Sequence, residues 1–133
     1  MSDEDVEVVL RGVDAVNRRD ADAFIALMSP DVEWETDPEA LPDLRDTYRG
    51  KAEVREYFEQ VFVETWESLH IEVEELTEKR IVLGTLVTAR GKASGVATEL
   101  RSWGVFWLAD GKIARRQIFW NRDQALEAAG LRE

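Results

Sequence analysis

Two carboxylates and one guanidinium stand where they can do chemistry. Glu35 and Asp37 close a short alternating stretch, Val32-Glu33-Trp34-Glu35. A carboxyl group held in apolar surroundings can serve as general acid or base. Arg116 lies in IARRQIFW, where strand alternation puts it on one side with Ala114, Ile118 and Trp120. Turned inward, it can hold a ligand carboxylate by two parallel hydrogen bonds. It can equally pair with a protein acid such as Asp37 or Glu39, or reach out to a cavity rim. A slip of one residue would present Arg115 and Gln117 instead. The rest of the inventory is thin. There is no cysteine, and the one histidine, His70, alternates with Leu69 and Ile71 towards solvent. Neither a thiolate nor a multi-histidine metal site can form. The runs Asp3-Glu4-Asp5 and Glu72, Glu74, Glu75 read as solvated faces, so no metal and no cofactor is expected.

The net charge of −11 over 133 residues argues against polyanionic partners. Nucleic-acid and anionic-membrane binding depend on clustered Lys and Arg, and only isolated pairs such as Arg18-Arg19 and Arg115-Arg116 occur. No stretch approaches the ~18 consecutive apolar residues of a membrane span, and the opening MSDEDVEVVL has no basic n-region. A soluble cytoplasmic protein is the expectation, with residues 1–133 forming a single domain.

Periodicity supplies the elements that must carry these groups. Val6, Val9, Leu10, Val13 and Val16 recur at helical spacing to about Arg18. Asp20 caps a second helix with Phe24, Leu27 and Met28, ended before Pro30. A short strand at Val32 and Trp34 follows, then a proline-bearing loop over residues 37–48. Val54, Tyr57, Phe58, Val61, Phe62, Thr65 and Leu69 mark a third helix ending near residues 66–68. From Leu69 the period is two, through residues 69–74, 81–90 and 98–108, and Asp110-Gly111 turns the chain into residues 113–120. Asn121 and Gln124 open a last short helix that Gly130 can end. The fold class is α+β, in the order ααβαββββ with a helical tail.

The later strands are apolar on both faces. Ile81, Leu83, Thr85, Val87, then Thr98, Leu100, Ser102, Gly104, Phe106 and Leu108, then Ala114, Arg116, Ile118 and Trp120 are assigned to the side under the helices. Val82, Leu86, Trp103, Val105, Trp107, Ile113 and Phe119 fall on the other side. That patch exceeds what monomers usually expose, so a homodimer through it is expected; a chain end folded over it is the alternative. On the inner side Trp34, Tyr48, Phe58, Phe62, Trp66 and Trp120, with Phe106 as floor, are candidate walls of a ligand pocket.

The stretches VEVVLRGVDAVNRRDADAFIALMSPDVEW, YRGKAEVREYF, GVFWLADGKI and NRDQALEAAGL resemble the nuclear-transport-factor-2-like superfamily, and within it the SnoaL-like, polyketide-cyclase-like group. The resemblance covers nearly the whole chain. It implies a cone of strongly curved mixed, mainly antiparallel sheet roofed by three helices, commonly dimeric through the sheet. Carried over from the superfamily's steroid isomerases, the catalytic positions fall on Gly12, Thr36 and Gly104, none of which can do that chemistry. Similarity to epoxide hydrolases implies acids within residues 81–90 and on the last strand, where there are none. A cyclase acid would stand at Ile118. Val13 and Val16 occupy places where relatives carry aromatics, which with Gly104 widens the expected cavity.

The expected function is therefore a pocket that binds a mainly apolar small metabolite, lined by Trp34, Thr36, Tyr48, Phe58, Phe62, Trp66, Gly104, Phe106, Arg116, Ile118 and Trp120. One alternative is a lyase, isomerase or cyclase working through Asp37 or Glu35, with Arg116 as a further catalytic candidate. The other is a non-catalytic assembly module that uses the outer sheet face.

Overall fold

The computed structural model describes residues 3–37, 44–77, 81–92 and 94–131; Glu39 and the prolines at 38 and 42 lie outside these. Helix α1, Asp3–Asn17, carries three acids in its first turn, where they oppose the helix dipole. It buries Val9, Gly12, Ala15 and Val16 on one face. Asn17 ties its end to the sheet. Its amide nitrogen donates to the Ile71 carbonyl at 3.0 Å, and its amide oxygen accepts from the Ile71 N–H at 2.7 Å. Helix α2, Ala21–Ala26, is capped by Asp20, whose carboxylate accepts from the Ala23 N–H.

The six strands are β1 (Met28–Glu35), β2 (Thr47–Arg49), β3 (Trp66–Thr77), β4 (Ile81–Gly91), β5 (Ala97–Ala109) and β6 (Lys112–Phe119). They form one open, curved mixed sheet in the order β2-β1-β6-β5-β4-β3. Every neighbouring pair is antiparallel except β1 with β6, which brings Trp34 opposite Arg116. Between β2 and β3 run α3, Gly50–Phe58, and a π-helical segment, Glu59–Glu64. After β6 comes α4, Arg122–Ala128, capped by the Asn121 side chain. Among the described residues no helix is long and apolar enough to cross a membrane.

Four expectations need correction. The segment read as loop overlaps β2, a three-residue strand too short to show a period, at Thr47 and Tyr48. Strand β1 starts at Met28, inside the expected second helix. Pro30 sits in the irregular stretch between the Met28 and Glu33 pairings with β6, where no ladder donor is needed. The third helix leaves α geometry at Glu59, and β3 begins at Trp66 rather than Leu69. The fourth correction concerns Ile113. The register runs Phe106 to Arg116, Trp107 to Arg115, then Leu108 to Ile113, so Ala114 is an extra, bulged residue. The bulge reverses the alternation, and Ile113 is buried in the inner core instead of on the outer face.

That outer face is partly covered by the chain itself. Val82 and Val105 are buried beneath Ala125 of α4 and Ala129 just after it, with Leu126 and Leu131 packed alongside. Trp103, Trp107 and Phe119 border this cluster and stay half-buried.

Candidate functional site

The helices and the inner sheet face do not meet completely. They leave a cavity of about 210 Å³, far more than the ~10–15 Å³ that holds one water. Its wall comes from α1, α2, α3, the π-helical segment and every strand but β2. Trp34, Phe62, Trp66, Gly104, Phe106, Arg116, Ile118 and Trp120 line it, as do Gly12, Val13 and Val16. The mouth lies beside Thr98 and Leu100, which are solvent-exposed and still line the cavity.

Three of the expected wall residues are elsewhere. Phe58 is fully buried behind the wall, its ring 4.8 Å from Phe24 and 5.3 Å from Phe62. Tyr48 packs edge-on behind Tyr57 at 5.3 Å, and its hydroxyl accepts from the Arg45 N–H. Thr36 donates its hydroxyl to the Arg45 carbonyl and borders a separate depression shared with Glu35, Asp37 and Gln117. Sequence reasoning missed Tyr57, Thr85 and Ser102 as lining residues. The alternation already puts Thr85 and Ser102 on the inner side, and Tyr57 lies on the apolar face of its helix.

Arg116 rather than Arg115 faces the cavity, and it is 4% exposed. Its guanidinium lies 4.2 Å from the centre of the Trp34 ring and 5.7 Å from that of Tyr57. Arg116 donates from Nη2 to the Tyr57 hydroxyl at 3.1 Å. Among the described residues no carboxylate forms an ion pair with it. Burial pushes its pKa below the ordinary arginine value, against the opposing pull of Tyr57 and Glu35. Arginine nonetheless keeps its charge at ordinary pH. The site is thus a cation in an apolar chamber, with most of its five N–H donors unspent. Trp34 Nε1 is also buried without a partner, so the polar groups around this corner are mainly donors.

The acids are not in the chamber. Among the described lining residues there is no Asp, Glu or His. Glu35 follows Trp34 and so points to the opposite sheet face, where Arg115 Nε and Gln117 Nε2 donate to it at 2.5 and 3.1 Å. Burial would raise its pKa, but the hydrogen bonds from Arg115 and Gln117 and the charges of Arg115 and Arg116 outweigh this and hold it below its ordinary 4.5. Asp37 accepts from Trp120 Nε1 at 2.7 Å. Arg115 also covers the Trp107 ring at 4.8 Å. A group with a depressed folded pKa contributes stability above its unfolded pKa and loses it as pH falls through the folded one. Glu35→Gln is therefore expected to flatten the acid side of the stability profile. Urea midpoints at about pH 6 and about pH 3.5 should differ less in the variant than in the parent.

Among the described residues no group of acids or histidines that could hold a metal occurs. The SnoaL-like domain family matches residues 9–116. The chain belongs to the SnoaL-like family. No curated protein matches it. Solved structures show the same fold for this SnoaL-like domain. An NTF2-like protein of unknown function from Burkholderia pseudomallei superposes with a TM-score of 0.77 at 21% identity, covering 97% of this chain and 98% of that one. A Mycobacterium tuberculosis protein in complex with estradiol-17beta-hemisuccinate gives 0.76 at 18% identity, over 92% and 97%. SalBIII, an epoxide hydrolase/cyclase-like enzyme of pyran ring formation in salinomycin, gives 0.73 at 24%, over 92% and 96%.

Proposed function

We propose that this SnoaL-like protein binds a small, mainly apolar metabolite through an acidic or strongly electron-rich oxygen held by Arg116. The observation that carries the reading is a buried guanidinium lining an apolar cavity and lacking a carboxylate partner among the described residues. Removing a lone cation from water is costly unless an anion meets it, and a ligand oxygen would meet it here. The acid or base chemistry weighed for Glu35 and Asp37 lacks support: neither lines the cavity, and the Glu35 carboxyl is more acidic than usual, not less. An assembly module would have no use for an open chamber.

The Mycobacterium tuberculosis neighbour was solved with a steroid hemisuccinate, an apolar body with a carboxylate, which makes a convenient probe. Titrated by tryptophan fluorescence, estradiol-17beta-hemisuccinate is expected to bind at least about tenfold more tightly than neutral estradiol, a charge-assisted hydrogen bond being worth ~1.5–3 kcal/mol. Equal affinities would reject an anion-selecting site. A homodimer through Leu86, Trp103, Trp107 and Phe119 remains part of this reading, supported by the apolar surface that α4 leaves half-exposed. Light scattering of the same samples at micromolar concentration is expected to give twice the chain mass; a monomer would reject the interface.

A further inference from the structure

Beyond the guanidinium, the cavity holds a second polar spot. Thr85 on β4 and Ser102 on β5 are direct neighbours in the ladder, 9% and 8% exposed, and both line the chamber. Their hydroxyls lie 3.2 Å apart, and neither makes another hydrogen bond among the described residues. Two hydroxyls carry two protons, and the bond between them uses one. One O–H donor and several lone pairs are left facing an otherwise apolar wall. Such groups are costly to leave unmade when buried.

The geometry points to a second ligand subsite at Thr85 and Ser102, which takes a hydroxyl or carbonyl at the end of the ligand remote from its acid. This rests on the reading of Arg116 as the acid anchor. The separation follows from the register. Arg116 is opposite Phe106, and Ser102 lies four residues along β5 from there, about 13 Å at ~3.3 Å per residue. Between them the wall is Gly104 and Ile118, which offer no side-chain polar group. The ligand class is accordingly an apolar molecule with oxygens at both ends, not a fatty acid with a plain hydrocarbon tail. Gly104 leaves room for the Phe106 ring, since a Cβ there would come within 2.9 Å of it, so this part of the wall stays apolar.

The test uses three aromatic carboxylic acids of increasing length, naphthoic, biphenyl and terphenyl, each with and without a hydroxyl on the far ring. Binding to the full chain is measured by calorimetry. For the biphenyl length the hydroxyl is expected to improve affinity about five- to tenfold, the yield of one added hydrogen bond. The gain should vanish in the double variant Thr85→Val, Ser102→Ala, whose far-ultraviolet circular dichroism and cooperative urea unfolding show that it is folded. The two single variants then tell which hydroxyl touches the ligand. If no hydroxylated acid outbinds its plain counterpart, or the gain survives the double substitution, the subsite is overturned and the Arg116 reading stands. If none of the six acids binds, the Arg116 reading falls and the subsite falls with it.

Discussion

Arg116→Met is expected to raise the melting temperature of the empty protein by a few degrees and to weaken biphenyl carboxylic acid binding about a hundredfold. The two halves of this result have one cause. Burying a cation with no ion-pair partner costs several kcal/mol even after relaxation. Against that stand the stacking on Trp34, about 2 kcal/mol when desolvated, and one hydrogen bond to Tyr57, about 1 kcal/mol. The desolvation cost outweighs both, so an apolar side chain of similar length gains roughly 1–2 kcal/mol net, which for a chain of this length is a shift of several degrees. Binding moves the other way, because truncating one partner of a buried charge pair costs about 2–5 kcal/mol. Thermal denaturation and calorimetry on one preparation check both. A variant that melts lower and binds the acid unchanged would mean that Arg116 supports the fold and has no part in ligand recognition.

Phe58→Ala is expected to have the largest effect on stability, about 3–5 kcal/mol, without enlarging the ligand chamber. The ring is fully buried between Phe24 and Phe62 and does not line the cavity. Its removal opens a new void behind the wall. A loss of that size approaches the whole stability of an ordinary domain. Phe62→Ala, four residues on, removes a half-buried ring that already faces the chamber. It should cost well under half as much and admit bulkier acids. Urea unfolding of both variants separates the two roles; equal losses would show that the wall and the packing behind it are not distinct.

The sequence made the long strands and α1 legible because their apolar positions repeat over many residues. Leu83, Thr85 and Val87, or Leu100, Ser102 and Gly104, keep one parity over a whole strand. What escaped was local. Strand β2 has three residues, and a one-residue bulge at Ala114 leaves no compositional trace, yet it decides that Ile113 turns inward. The site was half legible. Alternation placed Arg116, Ile118 and Trp120 on the inner side because they follow the bulge, whereas the partner of Arg116, Tyr57, comes from a distant helix. On α3, Tyr57 and Phe58 share one broad apolar face, and only packing tells which ring reaches the chamber.

The parallel pairing of β1 with β6 also has a consequence in time. The antiparallel run β3-β4-β5-β6 can form by successive contacts between neighbours in the chain, each closing a short loop. The step that sets Trp34 beside Arg116 joins strands about 80 residues apart in the chain, the kind of distant contact that slows folding. During synthesis the chamber has no closed wall until β6, the last of the six strands, has emerged. A ligand can therefore reward only the finished fold, so its presence should slow the reopening of the chamber and leave the rate of closing unchanged.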